Sequence, residues 1–135
     1  MGKITVRHQT DVPLLRVRDF YPPEKLQQLS EGEANSHTRR YFPADRESLQ
    51  GFEVRLDAHA VIKPHAHTAA EIILVLEGSI VLGATVAEVG AAIYVDDNTL
   101  YGFRAGPQGC RFFNFRGDPN TAYVTKEEFM AARTR

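Results

Sequence analysis

From residue 51 onward, short β-like runs and turn signals follow one another so closely that no architecture built on long helices fits. Phe52, Val54 and Leu56 alternate with Glu53, Arg55 and Asp57. A period of two puts one strand face in a core and the other towards water. Ile72–Leu76 is a continuous apolar run closed by Glu77-Gly78, which predicts a strand followed by a turn. Ile80–Leu82, Thr85–Val89, Ala91–Val95, Leu100–Phe103 and Arg111–Phe115 follow at short intervals. Gly83, Gly90, Asp96-Asp97-Asn98 and Gly106-Pro107-Gln108-Gly109 supply the turns between them. The pattern predicts an all-β sandwich, jelly roll or barrel.

The two ends read differently. Residues 1–49 carry only short apolar runs, Ile4–Val6 and Leu14–Val17, and form an N-terminal extension to a barrel core at about 50–116. Pro22 and Pro23 open a predicted short helix over Glu24–Leu29 that ends near Gly32, and the polar run Glu31–His37 reads as loop. At the other end, Thr125 and Glu128 have the spacing of a capping box and predict a helix over 125–133, with Phe129 and Met130 turned to the body.

Bulk composition narrows the function classes. A chain of 135 residues with 43% apolar content supports one domain with one core. Its 16 basic and 17 acidic residues leave a net charge of −1, and no basic cluster is longer than Arg39-Arg40. Neither nucleic acid nor an anionic membrane is an expected partner. There is no apolar run of transmembrane length, the first residues lack a secretory apolar stretch, and Cys110 has no second cysteine to pair with. These features lead us to expect a cytoplasmic protein.

The chemistry concentrates in Pro64-His65-Ala66-His67 and Thr68-Ala69-Ala70-Glu71. Residues two apart on a strand share a face, so His65 and His67 present two imidazoles together, with Ala66 between them. Glu71 opens the next apolar strand, and its carboxylate reaches the same point if that strand returns beside the first. Two imidazoles and a carboxylate suit iron(II) and similar first-row ions. A carboxylate at the mouth of Ile72–Leu76 also costs several kcal/mol to bury without a partner, which a divalent cation supplies. The competing reading is a pair of surface histidines near a solvated glutamate.

His65, His67, Glu71 and Gly78 together resemble the first signature of the cupin superfamily, His-x-His-x3-Glu-x6-Gly. His59 stands where that signature usually opens with glycine. Residues 90–105 resemble a degenerate second signature: Gly90 matches, Asp96 and Asn98 replace Pro and Gly, Tyr101 replaces the histidine ligand and Ala105 replaces Asn. The resemblance spans about residues 50–116. It implies a double-stranded β-helix, or jelly roll, with a metal inside the barrel, and frequent homodimers, for which the strand near Ile4–Val6 is a candidate contact.

Three roles for Tyr101 stay open: ligation through a deprotonated phenol, a hydrogen bond to substrate or bound water beside an open metal site, or plain core packing with metal binding lost. Phe103 shares its parity and is a second candidate to line the cavity. His59 is either a pocket base or substrate contact, or an ordinary loop residue. Arg55, Arg104 and Arg111 are expected on a solvated face, with one of them a candidate to meet an anionic substrate. The expected function is a metal-dependent enzyme, dioxygenase-like or a lyase or isomerase, acting on a small organic molecule. His65, His67 and Glu71 would hold iron(II), or else manganese, nickel or zinc. The alternative is a non-catalytic cupin that binds or senses a small ligand.

Overall fold

The structure is a computed structural model, and it describes residues 2–43, 49–117 and 123–133. The strands are β1 (Leu14–Arg16), β2 (His37–Phe42), β3 (Gln50–Leu56), β4 (Val61–His67), β5 (Glu71–Leu82), β6 (Thr85–Glu88), β7 (Ala92–Val95), β8 (Tyr101–Arg116) and β9 (Tyr123–Thr125). All the recorded pairings are antiparallel, in one nine-stranded sheet. The path runs β1-β2-β3-β8-β4-β9, and β5 pairs with β6, β7 and β8. The chain is all-β, as the spacing of strands and turns predicts, and the jelly roll is the one that the cupin resemblance implies.

Strand β8 organises the barrel, because its C-terminal half pairs with both β3 and β5 while its start pairs with β4. The sequence predicts two strands here, and two more over Ile72–Leu82. The structure instead runs one continuous strand through each region, with a bulge where the turn signals lie. Cys110 sits opposite Gly78 and Ala105 opposite Ile80, so residues 106–109 stand against Ser79 alone. Gly78 and Gly109 both have positive φ, 68° and 75°, which is what the extra residues demand of the backbone. The bulge also flips parity. Phe103 and Ala105 are buried before it, and Cys110, Phe112 and Asn114 after it.

A Cβ on Gly78 would lie 2.0 Å from the Gly109 carbonyl oxygen. Gly78→Ala should therefore lower stability by at least about 2 kcal/mol, combining the left-handed backbone cost with overpacking. Urea denaturation followed by circular dichroism measures this directly.

The core lies between the sheet faces and is built from Leu56, Ile73, Val75, Ile80, Ala105 and Phe112 among others. Phe112 faces this core, whereas Phe115 is exposed and packs on Phe113 at 4.7 Å.

The first third departs from its expected form. Ile4–Val6 forms no strand and is exposed, and β1 and β2 extend the same sheet as the barrel. Three one-turn helices lie between β1 and β2: α1 (Val17–Phe20), α2 (Pro23–Leu26) and α3 (Glu31–Ala34). Helix α2 is shorter than its pattern predicts, and α3 occupies the run that reads as loop. Its cause is partly local, since the Ser30 hydroxyl caps the Glu33 amide at 3.0 Å. The rest is tertiary. Glu33 accepts a hydrogen bond from the Lys63 amide of β4 at 3.0 Å, and Gly32 lies against Ala60 with no room for a side chain.

The C-terminal helix α4 (Lys126–Arg133) forms where the capping box places it. The Thr125 hydroxyl oxygen accepts from the Glu128 amide at 3.2 Å. Among the described residues, no helix is long and apolar enough to cross a membrane.

Candidate functional site

A cavity of about 480 Å³ opens into the barrel. His65 and His67 of β4, Tyr101, Phe103, Asn114 and Arg116 of β8, and Tyr123 of β9 line it. Helices α1 to α3 and the turns beside them close its other side with Val17, Tyr21, Lys25, Leu29 and Glu33.

Strand register explains why these side chains meet. His65 lies directly across β8 from Tyr101, and His67 lies across β9 from Tyr123. The imidazoles of His65 and His67 are 4.9 Å apart between centroids. His65 is sandwiched by Tyr123, stacked at 4.8 Å, and by Tyr101 at 4.8 Å. Both histidines are buried, at 5% and 7% exposure. The backbone amide of Asn98 donates to the His67 carbonyl at 2.8 Å and ties the turn after β7 to this end of β4.

The ring nitrogens of His65 are distinguished by their surroundings. Nδ1 lies 2.7 Å from the Lys63 carbonyl and must donate to it, which leaves Nε2 as the lone-pair nitrogen. Burial pushes the imidazole below its ordinary pKa, against the opposing influence of the Lys63 bond and the Glu71 charge, so His65 is neutral at pH 7.

Glu71 is buried at 2% exposure and its carboxylate is fully engaged. One oxygen accepts from the Tyr101 hydroxyl. The other accepts from Asn114 Nδ2 and Arg116 Nε, each at 3.0 Å, and Arg116 is also its ion-pair partner at 3.0 Å. Arg116 sits opposite Glu71 in the β5–β8 register, and Asn114 opposite Ile73. Burial first, then the charge and hydrogen bond of Glu71, push the Tyr101 phenol far up, so it stays protonated. Burial also pushes Tyr123 up, to about 12.

These contacts test the metal that the sequence pattern implies. The two imidazoles fit a divalent ion: both line one cavity and the lone pair of His65 Nε2 is available. Glu71 as placed does not complete the set, because Tyr101, Asn114 and Arg116 occupy its oxygens and Arg116 already supplies the counter-charge. Among the described residues, no group of three or more His, Cys, Asp or Glu side chains is placed to hold a metal ion.

The structure places the other sequence candidates as follows. Tyr101 and Phe103 line the cavity, their rings stacked at 6.2 Å. His59 does not join them, which corrects its reading as a substrate contact: it is exposed on a turn with φ of 62°, outside the cavity lining. Pro64 and the register shift between Ile62 and His65 break the alternation that would have carried its parity to His65. Arg55 and Arg111 pair with Glu53, and Arg104 is exposed. Cys110 is buried in the core, and burial pushes its thiol up to about 12.

Sequence reasoning missed Asn114, Arg116 and Tyr123. A signal existed for the first two, since Phe112, Asn114 and Arg116 alternate and two polar residues on an inward strand face call for a buried partner.

No protein-family model matches the chain, and no curated protein matches it. Solved structures do. The polyketide cyclase RemF from Streptomyces resistomycificus is 23% identical with a TM-score of 0.69, over 98% of this chain and 94% of that one. An RmlC-like cupin from Ralstonia eutropha JMP134 is 14% identical with a TM-score of 0.71, over 98% and 84%. Oxalate decarboxylase from Bacillus subtilis is 16% identical with a TM-score of 0.59, over 71% of this chain and 29% of that one. At these identities the likeness is one of fold, and the fold is that of a small cupin.

Proposed function

From a chain with the fold of a small cupin, we propose an enzyme that moves protons on a small, partly apolar carbonyl compound held in the barrel, in the isomerase and lyase class. The observation that carries this reading is the contact set of the cavity: a neutral, buried His65 packed against Tyr101, whose protonated hydroxyl is held by the Glu71–Arg116 ion pair. His65 Nε2 takes a proton from the carbon beside the carbonyl, and the electron pair moves onto the carbonyl oxygen. Tyr101 turns its hydroxyl from Glu71 to that oxygen and, with the Arg116 guanidinium, stabilises the developing charge. Returning the proton from His65 to another atom completes an isomerisation. In a lyase step the enolate re-forms the carbonyl, a carbon–carbon double bond forms, and the β-substituent leaves with its bonding pair and takes the proton from His65. Glu71 positions Tyr101 and Arg116. Phe103, Phe112 and Tyr123 exclude water from the substrate's apolar part. Enzymes sit on this fold in its structural neighbours, a polyketide cyclase and an oxalate decarboxylase among them.

One observation favours a second reading, a metal-dependent enzyme. The Lys63 carbonyl fixes His65 as a metal ligand is usually fixed, with Nε2 turned free. His65 and His67 would then hold iron(II), manganese, nickel or zinc, with Glu71 joining only by giving up Arg116 or Tyr101. Lewis acidity or a dioxygenase-like activity is what such an ion supplies.

Aryl ketones and diketones in heavy water decide between these readings. Loss of the proton beside the carbonyl is followed by proton NMR, on protein as purified, treated with chelator, and reloaded with each ion, beside elemental analysis. We expect accelerated exchange that survives chelation. Exchange that vanishes with the metal and returns on reloading would establish the second reading. Tight binding of the ketones with no exchange in any state would leave a ligand-binding cupin.

A further inference from the structure

A second cavity, of about 430 Å³, adjoins the first. Tyr21, Lys25, Thr38, Phe52 and Arg116 line both, so the two cavities are neighbours that share these five side chains. The outer compartment is walled by the rings of Phe20, Phe42 and Phe52 and contains Lys25, Arg40 and Arg116. Among the described residues, no Asp or Glu lines it.

These cations are placed rather than scattered. The Arg40 guanidinium lies over the Phe20 ring at 5.6 Å, and that of Arg116 over Phe52 at 5.3 Å. Arg116 is neutralised by Glu71, whereas among the described residues neither Lys25 nor Arg40 pairs with a carboxylate. Lys25 and Arg40 are exposed, so a small free anion gains little there against screening. An anion carried on a flat apolar body gains more. Its body displaces water from the aromatic walls, and its charge then meets two cations that no carboxylate among the described residues pairs with, in a less polar setting.

We infer that the outer compartment is the subsite for the anionic end of the substrate, an elongated aromatic carboxylate whose other end enters the barrel, with Lys25 and Arg40 reading the charge. The inference rests on the barrel cavity being the substrate site, and it names the substrate class for that reading. Phe52 and Arg116 form the wall at which the apolar head and the charged end are sorted.

The test reads binding rather than turnover. Naphthalene-2-carboxylate and its neutral carboxamide are titrated into the full chain at low ionic strength, by fluorescence and calorimetry. The same titrations use a Lys25→Gln, Arg40→Gln double variant whose fold is checked by circular dichroism. The native protein should prefer the carboxylate at least tenfold, and added salt should erode the preference. In the double variant the preference should fall below threefold, with carboxamide affinity unchanged. Equal affinities in the native protein, a preference that survives both substitutions, or binding of neither compound overturns the inference. Carboxylate binding that obeys these rules in a protein without proton exchange would instead retain the subsite and remove the catalytic reading.

Discussion

Glu53→Ala will destabilise the fold by about 3–5 kcal/mol, the cost of leaving buried cations without their anion. Glu53 is 1% exposed in the middle of β3. It accepts from Arg39 Nε at 3.0 Å, from Arg55 at 3.3 Å and from Arg111 Nε. The Arg39 side chain is only 10% exposed and that of Arg111 24%, so truncation strands two poorly hydrated guanidinium groups. Arg39 also donates to the carbonyls of Gln9 and Val12, at 3.0 and 2.5 Å. One carboxylate thereby ties β2, β8 and the N-terminal segment to β3. Chemical denaturation at pH 7 measures the loss.

The same residue sets a pH dependence. Burial alone would raise the pKa of Glu53, but the hydrogen bonds of Arg111 and Arg39 outweigh it and hold the carboxyl below its ordinary value. A depressed carboxylate contributes stability above its unfolded pKa and loses that contribution as pH falls through the folded value. The native protein should therefore weaken from below about pH 4.5, with the Glu53→Ala variant showing a shallower acid slope.

His65→Gln should lower the rate of proton exchange by roughly 10²–10⁴-fold, the usual worth of a positioned general base. Glutamine keeps the volume and polarity between Tyr101 and Tyr123 while removing a basic nitrogen. The loss should fall on kcat with KM little changed, because the aromatic walls proposed to hold the substrate remain. Tyr101→Phe should give a smaller loss, since Arg116 still faces the developing charge. In the native protein the acid limb of the proposed exchange should lie below the ordinary histidine pKa, about 6.5, because burial favours the neutral ring. An acid limb above that value, or a His65→Gln variant of full activity, would remove His65 as the base.

Local pattern carried much of this protein into view. Alternation at Phe52–Asp57 and the turn signals between short apolar runs were enough for an all-β fold, since a period of two is a property of each strand by itself. His-Ala-His placed two imidazoles on one face for the same reason, and the capping box at Thr125 and Glu128 closes within one helical turn.

Alternation failed wherever the chain counted differently from the sequence. The bulge at residues 106–109 reverses which residues of β8 face inward, so the parity that linked Tyr101 with Phe103 gave no access to Asn114 and Arg116. His59 misled in the opposite direction, because Pro64 and a register shift separate it from His65. The fate of Glu71 lay furthest from reach. Spacing placed its carboxylate beside two histidines, and only the β5–β8 pairing, across 45 residues, brought Arg116 to it. The short helices that cover the cavity are of the same kind, as α3 leans on a Lys63 amide 30 residues away. The sequence by itself determined the all-β class, the alternation of β3, the turns at Gly83 and Gly90 and the imidazole pair, because their causes lie within a few residues. Tertiary structure alone decided what neutralises Glu71 and what closes the cavity, because a buried charge takes whichever partner the register delivers.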